Sequence, residues 1–338
     1  MALSLNFKIY ELPLRHPFTI SRYTVNIQKT LIATISDGEF SGYGEATVNP
    51  YYNSTVERLS DAAERAKPII AGMSVIHPAE FWQTLEPHLR DNYFALCAID
   101  NAYWDFFARK NGRPLRRYFS DSENAPLTSY TIGMDSLSQM KNKINEMPWP
   151  VYKIKLAREN VIETVEALHS VTDSVFRIDA NCAWSALETI QYAERLKALN
   201  VEFIEQPLPA EDVAGMKTVI QNSVLPIIAD ESCQRFDDVE KCGGLFNGIN
   251  IKVMKCGGIT PALKMIEKAR SMGLSVMAGC MTESTVGISA LAQIAPLLDY
   301  LDSDGALLLA SDIASGVSFD YGRLEYASSN GTGAVILV

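Results

Sequence analysis

The stretch VYKIKLARENVIETVEALHSVTDSVFRIDAN (residues 151–181) contains two apolar, strand-like runs with a helical pattern of apolar residues between them. Runs of this kind recur along the chain, and they begin near Thr128, Val151, Val175, Val201, Pro226, Gly248, Leu274 and Tyr300. Their starting points are separated by 22 to 26 residues. Eight strands with helix-length segments between them at an almost constant spacing predict a closed (β/α)-barrel. A doubly wound open sheet would also alternate strands and helices, but its spacing is usually less even.

The first part of the chain has a different pattern. Residues 1–50 indicate three antiparallel strands, and three helices follow. The third helix, YFALCAIDNAYWDFFARK (93–110), is apolar almost all round and is expected to be buried. Strands followed by helices are typical of an α+β unit. We therefore expect an α+β domain over 1–120 and a barrel over 121–317, with the last segment, 318–338, returning to the first domain.

The composition excludes several classes of protein. Of the 338 residues 47% are hydrophobic and 21% are charged, as in a soluble protein with a sizeable core. The formal net charge of -10 makes a nucleic-acid or membrane-surface binder a poor candidate. Six cysteines without C-x-x-C spacing and only four histidines count against a zinc ribbon and a Ser-His-Asp hydrolase. The sequence has no apolar run of transmembrane length, and its N-terminus does not resemble a signal peptide, so we expect a cytoplasmic protein.

Carboxylates follow three consecutive strands of the predicted barrel. Asp179 ends the run FRID, Glu205 ends FIE, and Asp230 follows PIIA. Reactive groups in such barrels lie at the C-terminal ends of the strands, so these carboxylates should converge. Three carboxylates without a counter-ion would repel one another, and a hard divalent cation would remove that conflict. Oxygen ligands without His or Cys favour Mg²⁺ or Mn²⁺, and the sequence therefore predicts a metal site.

Lysines on two strands are expected to face each other across the barrel. Lys153 and Lys155 share one face of the second strand, and Lys252 lies on the sixth. A substrate carboxylate held by the metal would place its α-carbon between these amines, and the metal would stabilise the enediolate that forms when the α-proton leaves. A lysine acts as base only if its pKa falls well below about 10.4, which burial, a cation and a second amine promote. Two bases on opposite faces predict racemisation or epimerisation. Lys255 is expected to leave the strand end for solvent.

Asp302 and Asp304 share one face of the eighth strand, on the arc opposite the metal. Two carboxylates there could bind a cationic group at the far end of the substrate. A carboxylate at one end and an ammonium at the other indicate a zwitterion longer than a single amino acid. A pair of helix-capping aspartates near the rim of the sheet fits the pattern equally well, so the residues alone leave this choice open.

Taken together, these residues resemble the enolase superfamily, in its muconate-lactonizing subgroup. The matching motifs are K-I-K (153–155), D-A-N (179–181), E-Q-P (205–207), D-E-S (230–232) and K-V-M-K-C-G-G (252–258). The resemblance spans essentially the whole chain, and it implies a modified (β/α)7β TIM barrel with an α+β N-terminal capping domain that the C-terminal segment completes. It also implies a Mg²⁺ ion on Asp179, Glu205 and Asp230, with Lys155 and Lys252 as the two bases. Lys252 is preferred to Lys255 because the first lysine of that motif is the family's base.

The D-S-D run at 302–304 resembles the D-x-D motif of the superfamily's dipeptide epimerases, where it binds the substrate ammonium. The resemblance therefore implies an epimerase that inverts the C-terminal residue of Ala-Xaa dipeptides and acts in peptidoglycan peptide metabolism. Lys153 and Thr131 are further expected substrate contacts. Arg22 lies in the first loop of the capping domain, HPFTISRYTV, and in relatives that take Ala-Glu an arginine there meets the glutamate. A structural role for Arg22 fits the sequence equally well, so the expected Xaa is either Glu or a small aliphatic residue such as Ala.

Three other interpretations compete with this one. An o-succinylbenzoate synthase and a muconate-type cycloisomerase use the same scaffold, but their substrates lack the ammonium that D-x-D would bind. A catalytically silent barrel that binds metal and ligand is the third, although all five catalytic positions carry competent residues. The expected partner is a small-molecule dipeptide and not nucleic acid or a membrane. The sequence leaves the oligomeric state open, and a homo-oligomer is compatible with it.

Overall fold

The computed structural model of the chain describes residues 2–19, 24–156 and 158–337. Its first part is a three-stranded antiparallel sheet, as the sequence pattern predicts. The strands run in the order β1 (Ser4–Thr19), β2 (Thr24–Ser36) and β3 (Ser41–Thr47). Alternation along these strands places Leu5, Leu31 and Ile35 in the core.

Three helices follow this sheet, namely α1 (Val56–Ala71), α2 (Pro78–Leu89) and α3 (Tyr93–Lys110). Helix α3 is buried along almost its whole length, as its apolar sequence predicts. It lies very close to β3: a Cβ atom on Gly44 would collide with the main-chain oxygen of Ala98, and one on Gly42 with the amide nitrogen of Phe106. The two glycines therefore permit a close approach between sheet and helix that no larger residue would allow.

The rest of the chain forms an eight-stranded parallel sheet that curls into a barrel. In chain order, its strands are β4 (Tyr130–Ile132), β5 (Val151–Lys155), β6 (Val175–Asp179), β7 (Val201–Glu205), β8 (Ile227–Ala229), β9 (Gly248–Lys252), β10 (Ser275–Gly279) and β11 (Tyr300–Asp302). Neighbours in the sequence are neighbours in the sheet, and an additional parallel bridge between Thr128 and Leu301 joins the first strand region to the last. The predicted barrel is confirmed.

Helices connect these strands on the outside, as right-handed β/α crossovers require. They are α4 (Leu137–Glu146), α5 (Val161–His169), α6 (Ala186–Lys197), α7 (Val213–Asn222), α8 (Phe236–Cys242), the short α9 (Val253–Cys256), α10 (Ile259–Ser271) and α11 (Thr285–Ala292). After β11 comes a single 3-10 turn, Gly305–Leu308, where an eighth α-helix would stand in a regular TIM barrel. The architecture is therefore (β/α)7β.

The C-terminal segment contains β12 (Ala314–Ser315), β13 (Ser318–Asp320), β14 (Arg323–Glu325) and β15 (Val335–Ile336). It lies against the end of α3. The amide of Leu115 donates to the oxygen of Gly331 (2.7 Å), and the amide of Thr332 donates to Oδ1 of Asp105 (2.6 Å). Within the described ranges, no helix is long and apolar enough to span a membrane.

Helix α3 also holds the start of α10 on the barrel. The Asp100 carboxylate accepts hydrogen bonds from the amide (2.9 Å) and the hydroxyl (2.8 Å) of Thr260. Trp82 on α2 donates its indole N–H to the oxygen of Gly257 (2.9 Å). Gly258 has a φ of 120°, and a Cβ atom there would collide with Asp100. The first domain thus fixes the segment that follows β9, which matters for the site described next.

Candidate active site

The C-terminal ends of the barrel strands open into a cavity of about 830 Å³, part of which is open to solvent. From the barrel it is lined by Thr131, Lys153, Lys155, Asp230, Lys252, Asp302 and Asp304. The first domain contributes Phe18, Val25, Gln28, Thr47, Asn49, Tyr51 and Tyr52. The charged groups of this cavity are concentrated on the barrel side.

Strand register brings the three predicted metal ligands to one wall. Asp179 is in register with Glu205 across β6 and β7, and Asp230 comes directly after β8, the next strand of the sheet. Each of the three residues is at most 1% exposed. The carboxylates therefore lie side by side at the ends of three adjacent strands, with Asp230 lining the cavity.

Lys155 and Lys252 flank this wall from opposite sides. They end β5 and β9, which β6, β7 and β8 separate in the sheet. Nζ of Lys155 is 2.8 Å from Oδ2 of Asp179, and Nζ of Lys252 is 2.8 Å from Oδ2 of Asp230. Both lysines line the cavity, so an α-carbon above the carboxylates would lie between two amines.

Lys153 lies deeper, one pleat below Lys155 on the same face of β5. Its ammonium is 2.9 Å from Oε2 of Glu205, 3.0 Å from Oδ2 of Asp302 and 3.2 Å from Oδ2 of Asp179. Its side chain is 3% exposed. Lys153 is therefore a buried counter-ion for three carboxylates.

The pKa values of the site reflect this pairing. Burial alone would lower the pKa of Lys153, but the carboxylates of Asp302, Glu205 and Asp179 outweigh it and hold that pKa well above its usual value. Asp230 has the same effect on Lys252, so the pKa of this lysine is also raised despite burial. Glu205 differs from its neighbours, because burial raises its pKa to about 7.

The structure corrects one step of the sequence argument. The three carboxylates were expected to lack a counter-ion, but Lys153, Lys155 and Lys252 neutralise them directly. As the side chains stand, no three His, Cys, Asp or Glu residues in the described part of the chain are grouped closely enough to hold a metal ion. The ammonium of Lys153, which contacts both Asp179 and Glu205, lies between these two carboxylates.

The donor set nevertheless fits a hard divalent cation. Oε2 of Glu205 is buried and has no hydrogen-bond partner, its nearest cation being the Lys153 ammonium. Three carboxylates on adjacent strand ends provide the oxygen ligands that Mg²⁺ and Mn²⁺ prefer. A cation bound there would share the carboxylates with the lysines and so reduce the upward shift of the pKa values of Lys153 and Lys252.

The aspartates of the eighth strand have different surroundings. Asp302 accepts hydrogen bonds from the Ser129 hydroxyl (2.7 Å) and the Lys153 ammonium (3.0 Å). Asp304 accepts one from the amide of Thr131 (2.6 Å), and burial together with Asp302 raises its pKa to about 7. Asp304 precedes the Gly305–Leu308 turn but makes no side-chain cap to it. This geometry disfavours the helix-capping interpretation, and both aspartates face the cavity.

Two predicted substrate contacts have contrasting outcomes. Thr131 lines the cavity, and both its amide and its side chain donate to Asp304. Arg22 lies outside the described residues, and the structure therefore does not address its role.

Sequence reasoning misplaced one residue and overlooked two others. The expectation that Lys255 points to solvent is wrong: this lysine is buried and contacts Asp230. Its spacing from Lys252 is one helical turn, and α9 turns it inward. Asn250 donates to Oε1 of Glu205 (2.8 Å), as its shared face with Lys252 could have indicated. Gln206 holds the amide of Asp230 (2.9 Å), which no sequence pattern signalled.

The barrel carries acidic residues on one wall and lysines on both sides of that wall. This arrangement in a capped (β/α)7β barrel defines an enzyme of the enolase type. Family models agree with this assignment. Residues 6–118 match the mandelate racemase / muconate lactonizing enzyme N-terminal domain, and residues 135–336 match the enolase C-terminal domain-like family. The chain belongs to this family, and its place among the relatives below makes it an isomerase of the racemase and epimerase class.

Individual relatives are similar over nearly the full length. The chain is 49% identical to an L-Ala-D/L-amino acid epimerase of Flavobacterium johnsoniae, covering 99% of this chain and 100% of the relative. It is 34% identical to an L-Ala-D/L-Glu epimerase of Bacteroides thetaiotaomicron, covering 98% and 88%. A dipeptide epimerase of Enterococcus faecalis, solved with Mg and L-Leu-L-Tyr, superposes with a TM-score of 0.93 at 28% identity and covers 99% of both chains.

Proposed function

We propose that this chain is a Mg²⁺-dependent dipeptide epimerase that inverts the C-terminal residue of Ala-Xaa dipeptides by transferring the α-proton between Lys155 and Lys252. The observation that carries the proposal is the placement of these lysines. They line one cavity from strands four apart, with the carboxylates of Asp179, Glu205 and Asp230 between them. The similarity to named dipeptide epimerases supports the same activity.

Each residue has a defined task in this reaction. One lysine, as the neutral amine, removes the α-proton from one face, and the other, as the ammonium, returns a proton to the opposite face. Asp179, Glu205 and Asp230 would hold Mg²⁺, which supplies positive charge to the substrate carboxylate as negative charge develops on it. After each turnover the first lysine has gained a proton and the second has lost one. Proton exchange with solvent then restores both lysines to their starting protonation states.

The Asp304 carboxylate supports a dipeptide as the substrate. Asp304 lines the cavity, and its hydrogen bonds come from the amide and side chain of Thr131 and from the Cys280 thiol, which are all neutral groups. Its carboxylate can therefore accept the substrate ammonium. Asp302 is occupied by Lys153 and Ser129, and it supports the site through Lys153. An o-succinylbenzoate synthase or a cycloisomerase would have no use for the Asp304 carboxylate.

The described lining from the first domain carries no charged side chain. Phe18, Val25, Gln28, Tyr51 and Tyr52 are apolar or neutral at physiological pH, and no cation is among the lining residues that the structure describes there. Arg22 belongs to the same loop as Phe18 and Val25 but lies outside the described residues, so the choice between a small aliphatic Xaa such as Ala and Glu is left to the experiment.

The experiment is proton exchange in D₂O. Pooled Ala-Xaa dipeptides, incubated with the enzyme and Mg²⁺, should gain one mass unit when Xaa is accepted, and the mass identifies Xaa. Lys155→Met and Lys252→Met should each exchange only one of the two stereoisomers, with opposite preference. Lys217→Met, an exposed site on α7, is the control and should behave as the unmodified enzyme. Absence of exchange in every pool, with Mg²⁺ present, would refute the proposal.

A further inference from the structure

Lys255 is the most enclosed of the four lysines around the carboxylates. Its side chain is 1% exposed, compared with 12% for Lys252 and 11% for Lys155. A buried ammonium needs full compensation by hydrogen bonds and opposite charge. The contacts of Lys255 show where that compensation comes from.

All three donors of the Lys255 ammonium are committed to one short segment. Nζ donates to the main-chain oxygen of Asp230 (2.6 Å), to Oδ1 of Asp230 (2.5 Å) and to the main-chain oxygen of Cys233 (3.1 Å). Lys255 therefore has no donor left for a substrate. It holds the backbone and one carboxylate oxygen of Asp230 at the same time.

Gln206 holds the same segment from the other side. Its Oε1 accepts hydrogen bonds from the amides of Asp230 (2.9 Å) and Ser232 (3.0 Å). The loop 230–233 is thus fixed through its N–H groups by Gln206 and through its C=O groups by Lys255. With Oδ1 of Asp230 held in this way, Oδ2 is the oxygen that meets Lys252 (2.8 Å).

The position of Lys255 is itself set by the first domain. Helix α9 ends at Cys256, and the following Gly257 has a φ of 96° and accepts a hydrogen bond from Trp82. Three residues later, Asp100 holds Thr260. A continuous set of hydrogen bonds therefore runs from the first domain through α9 to Asp230.

We infer that Lys255 is a positioning residue that orients the Asp230 carboxylate for metal binding and takes no part in proton transfer. The inference rests on the proposed function, because it concerns one of the proposed metal ligands. Removing Lys255 has two opposite effects on metal binding, one through charge and one through the orientation of Asp230. Loss of a nearby positive charge alone would strengthen the binding of a divalent cation, whereas loss of orientation would weaken it.

The test is the binding of Mn²⁺ to Lys255→Met, measured by electron paramagnetic resonance of the free ion, with Lys217→Met as the control. We expect the Kd for Mn²⁺ to rise at least about 10-fold in Lys255→Met, because the loss of a contact that orients a metal ligand usually weakens metal binding by that much. Turnover of Lys255→Met should recover largely when the Mg²⁺ concentration is raised. Lys252→Met should remain inactive in epimerisation at every Mg²⁺ concentration.

An unchanged or tighter Kd in folded Lys255→Met would overturn the inference and leave the proposed function intact. Absence of Mn²⁺ binding by the unmodified enzyme would overturn the proposed metal site and the inference with it. Thermal unfolding establishes that each variant is folded. If Lys255→Met does not fold, Lys255→Gln, which retains a shorter N–H donor, decides the question by the same titration.

Discussion

The ammonium of Lys153 lies 3.0 Å from Oδ2 of Asp302 and thereby joins β5 to β11 across the interior of the barrel. This contact separates the two aspartates of the eighth strand into different roles. Asp302 is part of the buried charge network that includes Asp179 and Glu205. Asp304 is the member of the pair whose carboxylate remains for a ligand.

Asp304→Asn should impair dipeptide binding. The amide still accepts the hydrogen bond from Thr131, but it no longer offers a negative charge to the substrate ammonium. Removing one partner of a buried charge pair costs at least about 2 kcal/mol, so kcat/KM should fall at least about 30-fold, mostly through KM. Steady-state kinetics with the accepted dipeptide provide the measurement. Asp320→Asn, on the exposed strand β13, is the control, and unchanged turnover in Asp304→Asn would remove the ammonium assignment.

The same carboxyl group should make substrate binding depend on pH. Burial and the neighbouring Asp302 raise the pKa of Asp304 to about 7, and only the ionised form attracts an ammonium. As pH rises through about 7, kcat/KM should therefore increase, because this parameter reports groups of the free enzyme. The test is a profile of kcat/KM over about three pH units around that pKa, from about 5.5 to 8.5. The rise of kcat/KM with pH should be missing in Asp304→Asn. If the rise persists in this variant, a group other than Asp304 causes it.

Lys153→Met should destabilise the fold. The substitution leaves the carboxylates of Glu205, Asp302 and Asp179 buried without their common counter-ion. Breaking a buried ion pair by removing one partner costs about 3–5 kcal/mol. Denaturant unfolding should show a loss of that size, partly recovered by millimolar Mg²⁺ if the same carboxylates bind the ion. Lys217→Met should lose little, and a Lys153→Met variant as stable as Lys217→Met would contradict the counter-ion role.

Acid should weaken the first domain through Asp37. The Lys110 side chain and the amide of Phe40 lower the pKa of Asp37 to about 2, below its value in the unfolded chain. A depressed carboxyl pKa stabilises the fold above the unfolded pKa, and this contribution is lost as pH falls from about 4 towards 2. The free energy of unfolding of Asp37→Asn should therefore be about 1 kcal/mol lower than that of the unmodified protein at pH 7. It should also fall less between about pH 4 and pH 2. An identical pH dependence in both proteins would contradict the assignment.

The barrel could be predicted because its strands are buried on both faces. Parallel strands of this kind appear in a sequence as continuous apolar runs. Five of the eight predicted starting positions, from Val151 to Tyr300, coincide with the first residue of a strand, and the other three differ by one or two residues. The carboxylates and the inward lysines followed from alternation along those strands. These features depend on residues close together in the sequence.

The charge pairing could not be predicted in the same way. Lys153 and Asp302 are 149 positions apart, and only the closed barrel brings them into contact. Lys255 was misplaced because strand alternation does not apply beyond Lys252, where the chain turns into α9. Gln206 has a φ of 37°, and its inward amide depends on that irregular backbone. In each case the missing information was the three-dimensional path of the chain.

The hydrogen bonds from Trp82 and Asp100 to the segment 257–260 restrict how domains could be exchanged between relatives. A chimera that joins the first domain of one epimerase to the barrel of another would place an unmatched helix against this segment. Lys255, which precedes this segment, would then be displaced even if every residue of the barrel were retained. To transfer substrate preference within this family, α2 and α3 should therefore be moved together with the barrel that they contact. Exchanging single cavity residues disturbs these contacts less.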